Sequence, residues 1–233
     1  MGDIHDGHRQ RVKRRFRSSG LDEFEPHNAL ELMLFYAVPQ RDTNALAHRL
    51  IDTFGSFDKV LEADYEQLTR VTGIGENTAT LLKLFLASYR YYEKQKNAGG
   101  FVATTASALC AYVRSLFIGE TRERAYLLCF DARLHLIRCA CIAEGGVDAA
   151  QITVRRVVEV ATANRAVSVV LAHNHPDGYA VPSREDIIAT KDIMRALSSI
   201  GIELSDHIVC GCKNEISLAN EGVLYSIKQE LHL

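Results

Sequence analysis

The sequence predicts an α+β protein in which an all-helical N-terminal domain precedes a mixed α/β domain. Apolar residues recur at helical spacing over residues 1–95, and strand-like segments alternate with helix-like ones after residue 105. Between these regions, residues 97–105 contain a Gly-Gly pair and show no core pattern. We therefore predict domains over residues 1–96 and 106–233, joined by a linker over residues 97–105.

The composition is that of an ordinary globular protein. Hydrophobic residues make up 47% of the 233 residues, charged residues 24%, and the net charge is −2. No run approaches the roughly 18 apolar residues of a membrane helix, and the first residues lack the apolar stretch of a signal peptide. We expect a cytoplasmic protein without membrane contact.

Six cysteines are present, and none of them forms a C-x-x-C pair. Four lie in two C-x-C pairs within apolar, strand-like segments, which is typical of reduced, buried thiols in a cytosolic protein. A cysteine zinc site is the weaker alternative, because C-x-C is not the usual spacing of zinc fingers. The cysteines are Cys110, Cys129, Cys139, Cys141, Cys210 and Cys212.

In the N-terminal domain, apolar periodicity and end signals predict several helices. Asp42 begins one of them, with apolar residues on one face, and Phe54-Gly55-Ser56 ends it. The predicted helices before residue 71 cover residues 28–36, 42–54, 57–62 and 64–70.

A Gly73-Ile74-Gly75 step then joins two helices through a tight turn. Glycine allows close backbone approach, and the helix that begins near Asn77 has free N–H groups that could hold a phosphate. Lys83 and Arg70 would support such binding, whereas Glu76 would oppose it. The alternative interpretation is an ordinary turn in a helical bundle.

The run from Arg9 to Arg17 carries six of the 27 Lys and Arg residues and no acid. It could lie along nucleic-acid phosphates. The alternative is a solvated helix face, which is the commoner role of a charge run.

In the C-terminal domain, strands alternate with helices, which indicates a sheet flanked by helices. Asp131 to Arg133 forms a hairpin-like turn between two strands, and Gly145-Gly146 ends the second strand. The predicted strands cover residues 125–130, 134–142, 166–172, 202–209 and 215–218, and the predicted helices cover residues 107–117, 154–164, 183–198 and 225–231.

His173 and His175 stand where the buried strand 166–172 ends. In an extended chain, residues i and i+2 point to the same face, so both imidazoles can reach one metal ion. Spacing alone makes this a weak signal, because many His-x-His pairs bind no metal.

Ser183 and Asp186 follow at the start of the next helix, after a loop rich in proline and glycine. Two histidines and one carboxylate are the ligands of a catalytic zinc site that keeps a fourth position for water. Ser183-x-x-Asp186 is equally an N-capping arrangement. The two interpretations are compatible.

Taken together, these motifs resemble the RadC family over nearly the whole chain. The most specific part is His173-x-His175-Pro176-x-Gly178 followed by Pro182-Ser183-x-x-Asp186; the 73–75 hairpin and Asp206-His207-Ile208 add to it. The resemblance implies a helix-hairpin-helix domain followed by a JAMM/MPN metalloprotease-like domain with a cytidine-deaminase-like fold.

The resemblance also implies roles for the site residues. His173, His175 and Asp186 would bind Zn²⁺, with water in the fourth position. Ser183 would help to hold a tetrahedral oxyanion.

A JAMM enzyme needs in addition a glutamate that transfers a proton from the water to the leaving amine. Glu123, just before the strand 125–130, is the candidate, and Glu120 is the second choice. The alternative for each is a solvated acid at a helix-to-strand junction.

The chain departs from the family pattern at Ala140-Cys141 and at Arg155-Arg156. We expect these departures to affect substrate preference more than metal binding. We interpret His207 as a core residue or one that supports a ligand, because the ligand set is already filled.

The sequence therefore supports a RadC-like zinc hydrolase of peptide or isopeptide bonds with a link to DNA repair. The alternative function is a DNA-binding accessory protein of repair or recombination, whose metal domain is a recognition scaffold. Such a protein would contact DNA without sequence preference through Gly73, Gly75 and the Arg9–Arg17 run. A metal-free structural domain is the third alternative.

Overall fold

The computed structural model describes residues 4–39, 41–97, 100–145, 152–176 and 178–233. The chain divides into two compact units, Met1–Tyr89 and Arg90–Leu233. No helix within the described residues is both long and apolar enough to span a membrane.

The first unit is all-helical, as predicted. Asp42 caps one helix, with its carboxylate accepting hydrogen bonds from the N–H groups of Asn44 and Ala45 at 2.9 and 3.3 Å. The helices are α1 (Ile4–Ser19), α2 (Pro26–Ala37), α3 (Thr43–Phe54), α4 (Phe57–Glu62), α5 (Tyr65–Arg70) and α6 (Glu76–Asn97), the last of which continues past Tyr89.

Leucines at helical spacing build the core of this unit. Leu30 and Leu34 on α2 and Leu50 on α3 are fully buried, together with Leu68 and Leu82. Full burial of each such side chain contributes about 1.5–3 kcal/mol to the free energy of unfolding. The amphipathic faces, rather than helix propensity, therefore hold these short helices together.

The second unit is a mixed sheet with helices, which confirms the predicted α+β class. Its elements are α7 (Ala106–Leu116), β1 (Arg124–Phe130), β2 (Leu136–Glu144), α8 (Val154–Ala163), β3 (Ser168–Asn174), α9 (Arg184–Ser198), β4 (Glu203–Cys210), β5 (Glu215–Ser217) and α10 (Val223–Leu231).

Within the described residues the strands form one sheet in the order β2-β1-β3-β4-β5. Strand β1 is antiparallel to both β2 and β3, and β4 is antiparallel to β5. Strands β3 and β4 are parallel and joined through α9, because parallel neighbours need a crossover connection. The crossover places the first turn of α9 beside the end of β3.

Strand β3 is buried on both faces, as its apolar run predicts. Val169 and Leu171 pack in the core that includes residues of α8 and α9, whereas Val170 and Ala172 pack in the core that includes residues of α7. Side chains alternate along a strand, so His173 shares the face of Leu171. The histidine therefore faces α9.

Several element boundaries differ by one or two residues from the sequence predictions. Strand β3 continues to Asn174 instead of ending at Ala172, because its pairing with β4 extends to Asn174 opposite Cys210. The predicted linker 97–105 includes residues that pair with another segment. Its residues 101–103 pair with residues 134–136, where the N–H of Leu136 donates to the carbonyl of Phe101 at 2.8 Å.

Candidate metal centre

Two histidines meet at the end of β3. His173 lies in the strand and is buried, and the N–H of His175, one residue beyond the strand, donates to the carbonyl of Cys210 at 2.7 Å. This bond continues the pairing with β4 and keeps the chain extended at His175. Both imidazoles consequently point to one side, and their Nε2 atoms lie 3.0 Å apart.

Asp186 reaches the same point from the first turn of α9. Its Oδ1 lies 3.3 Å from Nε2 of His173, and its Oδ2 lies 3.7 Å from Nε2 of His175. One ligand atom from each residue lies within 4.8 Å of the others, and among the described residues no other such group of three is found. Two imidazole nitrogens and one carboxylate at this separation fit a tetrahedral Zn²⁺ ion with one open position.

Ser183 holds the Asp186 carboxylate in a capping box. Oδ2 of Asp186 accepts hydrogen bonds from the N–H and the hydroxyl of Ser183, both at 2.7 Å, and the N–H of Asp186 donates to the Ser183 hydroxyl at 3.0 Å. Partial burial acts to raise the pKa of Asp186, but the contacts with His173 and Ser183 outweigh it and hold that pKa well below its usual range. The aspartate is therefore ionised, and the helix cap and the ligand geometry coexist.

His207 lies behind His173 and fixes its tautomer. Nε2 of His207 lies 2.8 Å from Nδ1 of His173, and Nδ1 of His207 lies 2.7 Å from the hydroxyl oxygen of Thr190. That hydroxyl donates its proton to the carbonyl of Asp186 at 2.6 Å, so Nδ1 of His207 must be the donor toward Thr190. Nε2 of His207 then accepts the Nδ1 proton of His173, which leaves Nε2, 3.3 Å from Oδ1 of Asp186, as the nitrogen of His173 that could bind a metal.

The charge of His207 agrees with this assignment. Complete burial, followed by the nearby His173, lowers the pKa of His207 to about 3, so its imidazole is neutral. The sequence interpretation of His207 as a residue outside the ligand set matches its position. Thr190 carried no signal in the sequence, because a threonine inside a helix is ordinary.

A turn between β4 and β5 supports the loop that carries His175. Nδ1 of His175 lies 3.3 Å from the carbonyl of Tyr179, and the N–H of Ala180 donates to the side-chain carbonyl of Asn214 at 3.2 Å. A Cβ on Gly211 would lie 2.5 Å from the Ala180 nitrogen, so only glycine fits there. Sequence reasoning missed Gly211 and Asn214, which form part of a turn distant in sequence from the histidines.

Glu123 lines the same cavity as the candidate metal ligands. It precedes β1 by one residue, and Ala125, two residues later, lies directly opposite His173. Residues two apart share a face in an extended chain, so the register places Glu123 on the side of His173. A cavity of about 970 Å³ is lined by Glu123 together with the other predicted site residues, His173, His175, Ser183 and Asp186.

Glu120, the second choice for the base, forms ion pairs with two arginines. Its carboxylate is nearly buried and lies 3.3 Å from Arg90 and 3.2 Å from Arg124. Arg90 also donates to the carbonyl of Ile118. These pairs fix the loop before β1, and Glu120 does not line the cavity at His173 and His175.

The hairpin between α5 and α6 has the glycine requirement that its sequence indicated. Gly73 adopts a φ of +99°, and a Cβ there would lie 3.2 Å from the side chain of Leu46. Gly75 precedes α6, and a cavity of about 450 Å³ beside it is lined by both glycines, Arg41 and Glu76. Arg41 is the basic residue that lines this cavity among the described residues, and sequence reasoning did not select it.

The predicted support from Lys83 and Arg70 is not found at this turn. Nζ of Lys83 donates to the carbonyls of residues 61–63, at 3.3, 3.2 and 2.8 Å, and so satisfies the C-terminal end of α4. Arg70 lies 3.8 Å from Glu66 on the exposed face of α5. Neither side chain lines the cavity at Gly73 and Gly75.

The basic run of α1 is partly committed to packing. Arg9 donates to the carbonyls of Val38 and Arg41 at 2.8 and 2.9 Å and lies 4.9 Å from the centre of the Phe35 ring. Lys13 and Arg15 also lie over aromatic rings. The three remaining basic residues are exposed and make no hydrogen bond or ion pair among the described residues. They are Arg11, Arg14 and Arg17.

Two different family models match the N-terminal and the C-terminal parts of the chain. A family model described as the RadC-like JAB domain matches residues 103–223, and a model of the SAM-like helix-hairpin-helix tandem matches residues 43–88. A UPF0758 protein of Ruegeria pomeroyi is 34% identical over 217 residues, which cover 93% of this chain and 97% of the relative. A UPF0758 protein of Rhodobacter capsulatus is 35% identical over 91% of this chain and 100% of its own length. A UPF0758 protein of Fusobacterium nucleatum is 31% identical over 94% and 97%.

Proposed function

The chain belongs to the RadC family, and we propose that it is a zinc-dependent hydrolase of peptide or isopeptide bonds. One observation carries this proposal: the three candidate metal ligands, an acid just before the neighbouring strand and a hydroxyl at a helix start line a single cavity. A JAB-type domain supports metal-dependent hydrolysis in general. The peptide or isopeptide substrate is proposed from the resemblance to JAMM metalloproteases.

His173, His175 and Asp186 would hold the zinc ion. Bound zinc lowers the pKa of a water to about 7 and polarises the carbonyl to be cleaved. The surrounding residues position the ligands for this ion, because the contact with His207 leaves Nε2 as the nitrogen of His173 that faces Asp186, and Asp186 is ionised.

Glu123 would act as the general base and then as the general acid. Its side chain lines the cavity and has no partner among the described residues, so it is free to take a proton from water. The same carboxyl would pass that proton to the leaving amine, which must be protonated to depart. Ser183, whose hydroxyl now donates to Asp186, would turn this donor toward the oxyanion.

The test compares zinc-loaded protein with its Glu123→Gln variant on a panel of fluorogenic peptides and lysine ε-amino isopeptides. Elemental analysis should find one zinc per chain in both proteins and a loss of zinc in His173→Ala. We expect Glu123→Gln to lower kcat by at least about 100-fold with zinc retained, because the base is not a ligand.

The matched control for this test is Glu221→Gln, which removes an exposed carboxylate outside the cavity and should leave both measurements unchanged. Zinc-loaded protein that shows no Glu123-dependent hydrolysis across the panel would contradict the proposal.

The helix-hairpin-helix region favours DNA binding as a second function. The hairpin glycines and the start of α6 resemble a phosphate-binding turn, although Glu76 lies in the first turn of that helix. A gel-shift titration with single-stranded, duplex and branched DNA tests it, and binding should weaken steeply with salt. Binding that is absent or insensitive to salt would remove this function.

A further inference from the structure

Asn174 lies between the two ligand histidines and bonds to the neighbouring strand. Its side chain is buried, and its Oδ1 accepts a hydrogen bond from the N–H of Arg124 at 2.7 Å. Its Nδ2 donates to the carbonyl of Arg122 at 3.1 Å. The amide therefore bonds to the main chain immediately before and immediately after Glu123.

The side chain of Asn174 continues the sheet where the main-chain pairing stops. The last paired residues of β1 and β3 are Ala125 and His173. Beyond them, the Asn174 amide takes the place of the next main-chain partners. On the other side, the carbonyl of Glu123 accepts a hydrogen bond from the N–H of Gly145 at 2.9 Å. Glu123 is thus held from both neighbouring chain segments, although it lies outside β1.

We propose that Asn174 is the positioning residue for the general base Glu123, an inference that rests on the proposed function. The tripeptide 173–175 then contains two metal ligands, and the side-chain amide of its central residue positions the main chain around Glu123. Base and metal are consequently fixed to one rigid segment. Accurate placement matters, because a misplacement of about 1 Å can cost roughly 100-fold in rate.

Asparagine suits this position because the two hydrogen bonds, to the N–H of Arg124 and to the carbonyl of Arg122, need one acceptor and one donor. Leucine has a similar volume and makes neither bond, so the N–H of Arg124 and the carbonyl of Arg122 both lose their partner. Aspartate keeps the acceptor for Arg124 but places a carboxylate against the carbonyl of Arg122. Asn174→Leu should therefore remove both hydrogen bonds, and Asn174→Asp should remove only the bond to the carbonyl of Arg122.

The experiment combines a double-mutant cycle with two measurements that need no activity. Asn174→Leu, Glu123→Gln and the double variant are compared with the wild type for kcat on the same panel. Zinc affinity is measured by chelator competition, and amide hydrogen exchange is followed over residues 118–126. Asn164→Leu removes an amide that donates to the carbonyl of Val160, and it controls for a general loss of stability.

We expect Asn174→Leu to lower kcat by about 100-fold in the wild type and to change it little in the Glu123→Gln background. Zinc affinity should stay within about threefold, because pairing with β4 still holds the histidines. Exchange at the Arg124 amide should rise at least tenfold, and Asn174→Asp should give an intermediate rate loss. The Asn164→Leu control should show none of these changes.

Three results would overturn the inference: equal rate losses with and without Glu123, a loss of zinc binding in Asn174→Leu, or unchanged exchange at Arg124. Asn174→Asp repeats the test if the leucine variant does not fold. If the wild type hydrolyses nothing, the proposed function fails, and hydrogen exchange still decides whether Asn174 holds the segment around Glu123.

Discussion

Nε2 of His207 lies 2.8 Å from Nδ1 of His173, at the end of a hydrogen-bond chain that begins at the hydroxyl of Thr190. This series of hydrogen bonds selects the His173 tautomer whose Nε2 can bind a metal. We expect Thr190→Val to lower zinc affinity roughly 10- to 100-fold, because the His207 donor loses its acceptor. Competition with a chromophoric chelator measures the change.

The matched control for this prediction is Thr162→Val. Its hydroxyl also bonds to the carbonyl four residues earlier, at 2.7 Å, but it lies on the exposed side of α8. An equal loss of zinc affinity in both variants would show that the Thr190 chain does not orient His173.

Gly211 supports the loop of His175 by the absence of a side chain. In Gly211→Ala the new Cβ would lie 2.5 Å from the Ala180 nitrogen and 2.8 Å from the Gly178 carbonyl oxygen, so backbone must move. We expect a stability loss of about 1–3 kcal/mol and weaker zinc binding. In the control Gly178→Ala, the nearest atom to the new Cβ is Cβ of His175 at 3.7 Å. Stability and zinc binding should therefore stay unchanged. Chemical unfolding and zinc titration compare the two variants, and indistinguishable behaviour would refute the packing argument.

Ser183 has a capping role that can be separated from its proposed role toward the oxyanion. Ser183→Ala should lower stability by about 1 kcal/mol and also reduce kcat. Ser183→Asn restores a cap without the hydroxyl, so stability should recover while kcat stays low. Thr105→Ala, which removes the corresponding cap of α7, should cost stability only. Full hydrolysis by Ser183→Asn would exclude an oxyanion role.

Alkaline pH should destabilise the second unit through its buried thiols. Burial raises the pKa of Cys129 from its ordinary 9.0 to about 11. A pKa that is higher in the folded state gives stability that is complete below 9.0 and is lost as pH rises toward about 11. We expect a slope of about 1.4 kcal/mol per pH unit from this thiol. Urea unfolding under reducing conditions should show it in the wild type and in Cys212→Ala, and a smaller slope in Cys129→Val. An unchanged slope in Cys129→Val would contradict the assignment.

The basic residues of α1 should divide into two groups. Arg14→Ala should leave stability unchanged and reduce the salt dependence of DNA binding by about one unit of slope, because its guanidinium is exposed. Arg9→Ala should instead lower the free energy of unfolding by about 1–3 kcal/mol, because the carbonyls of Val38 and Arg41 lose their donor. Gel shifts at several salt concentrations and urea unfolding measure both effects. A stability loss with Arg14→Ala and none with Arg9→Ala would reverse the division.

The sequence by itself determined the parts of this protein that depend on neighbouring residues. Helical periodicity predicted the helices of the first unit, and the apolar run before His173 predicted the buried strand. The spacing of His173 and His175 and the Ser183-x-x-Asp186 cap are also local, because strand and helix geometry fix the directions of side chains two or three residues apart. The metal-ligand trio could therefore be proposed before the fold was known.

Only the tertiary structure decided the relationships that cross between segments. Glu123 rather than Glu120 lines the cavity because strand register aligns β1 with β3 and ion pairs hold Glu120 away. Lys83 bonds to the end of α4 instead of supporting the hairpin. His207 and Asn174 take their roles from partners that are distant in sequence. Strand register and packing bring such residues together, and no local pattern of the chain encodes which of them will meet.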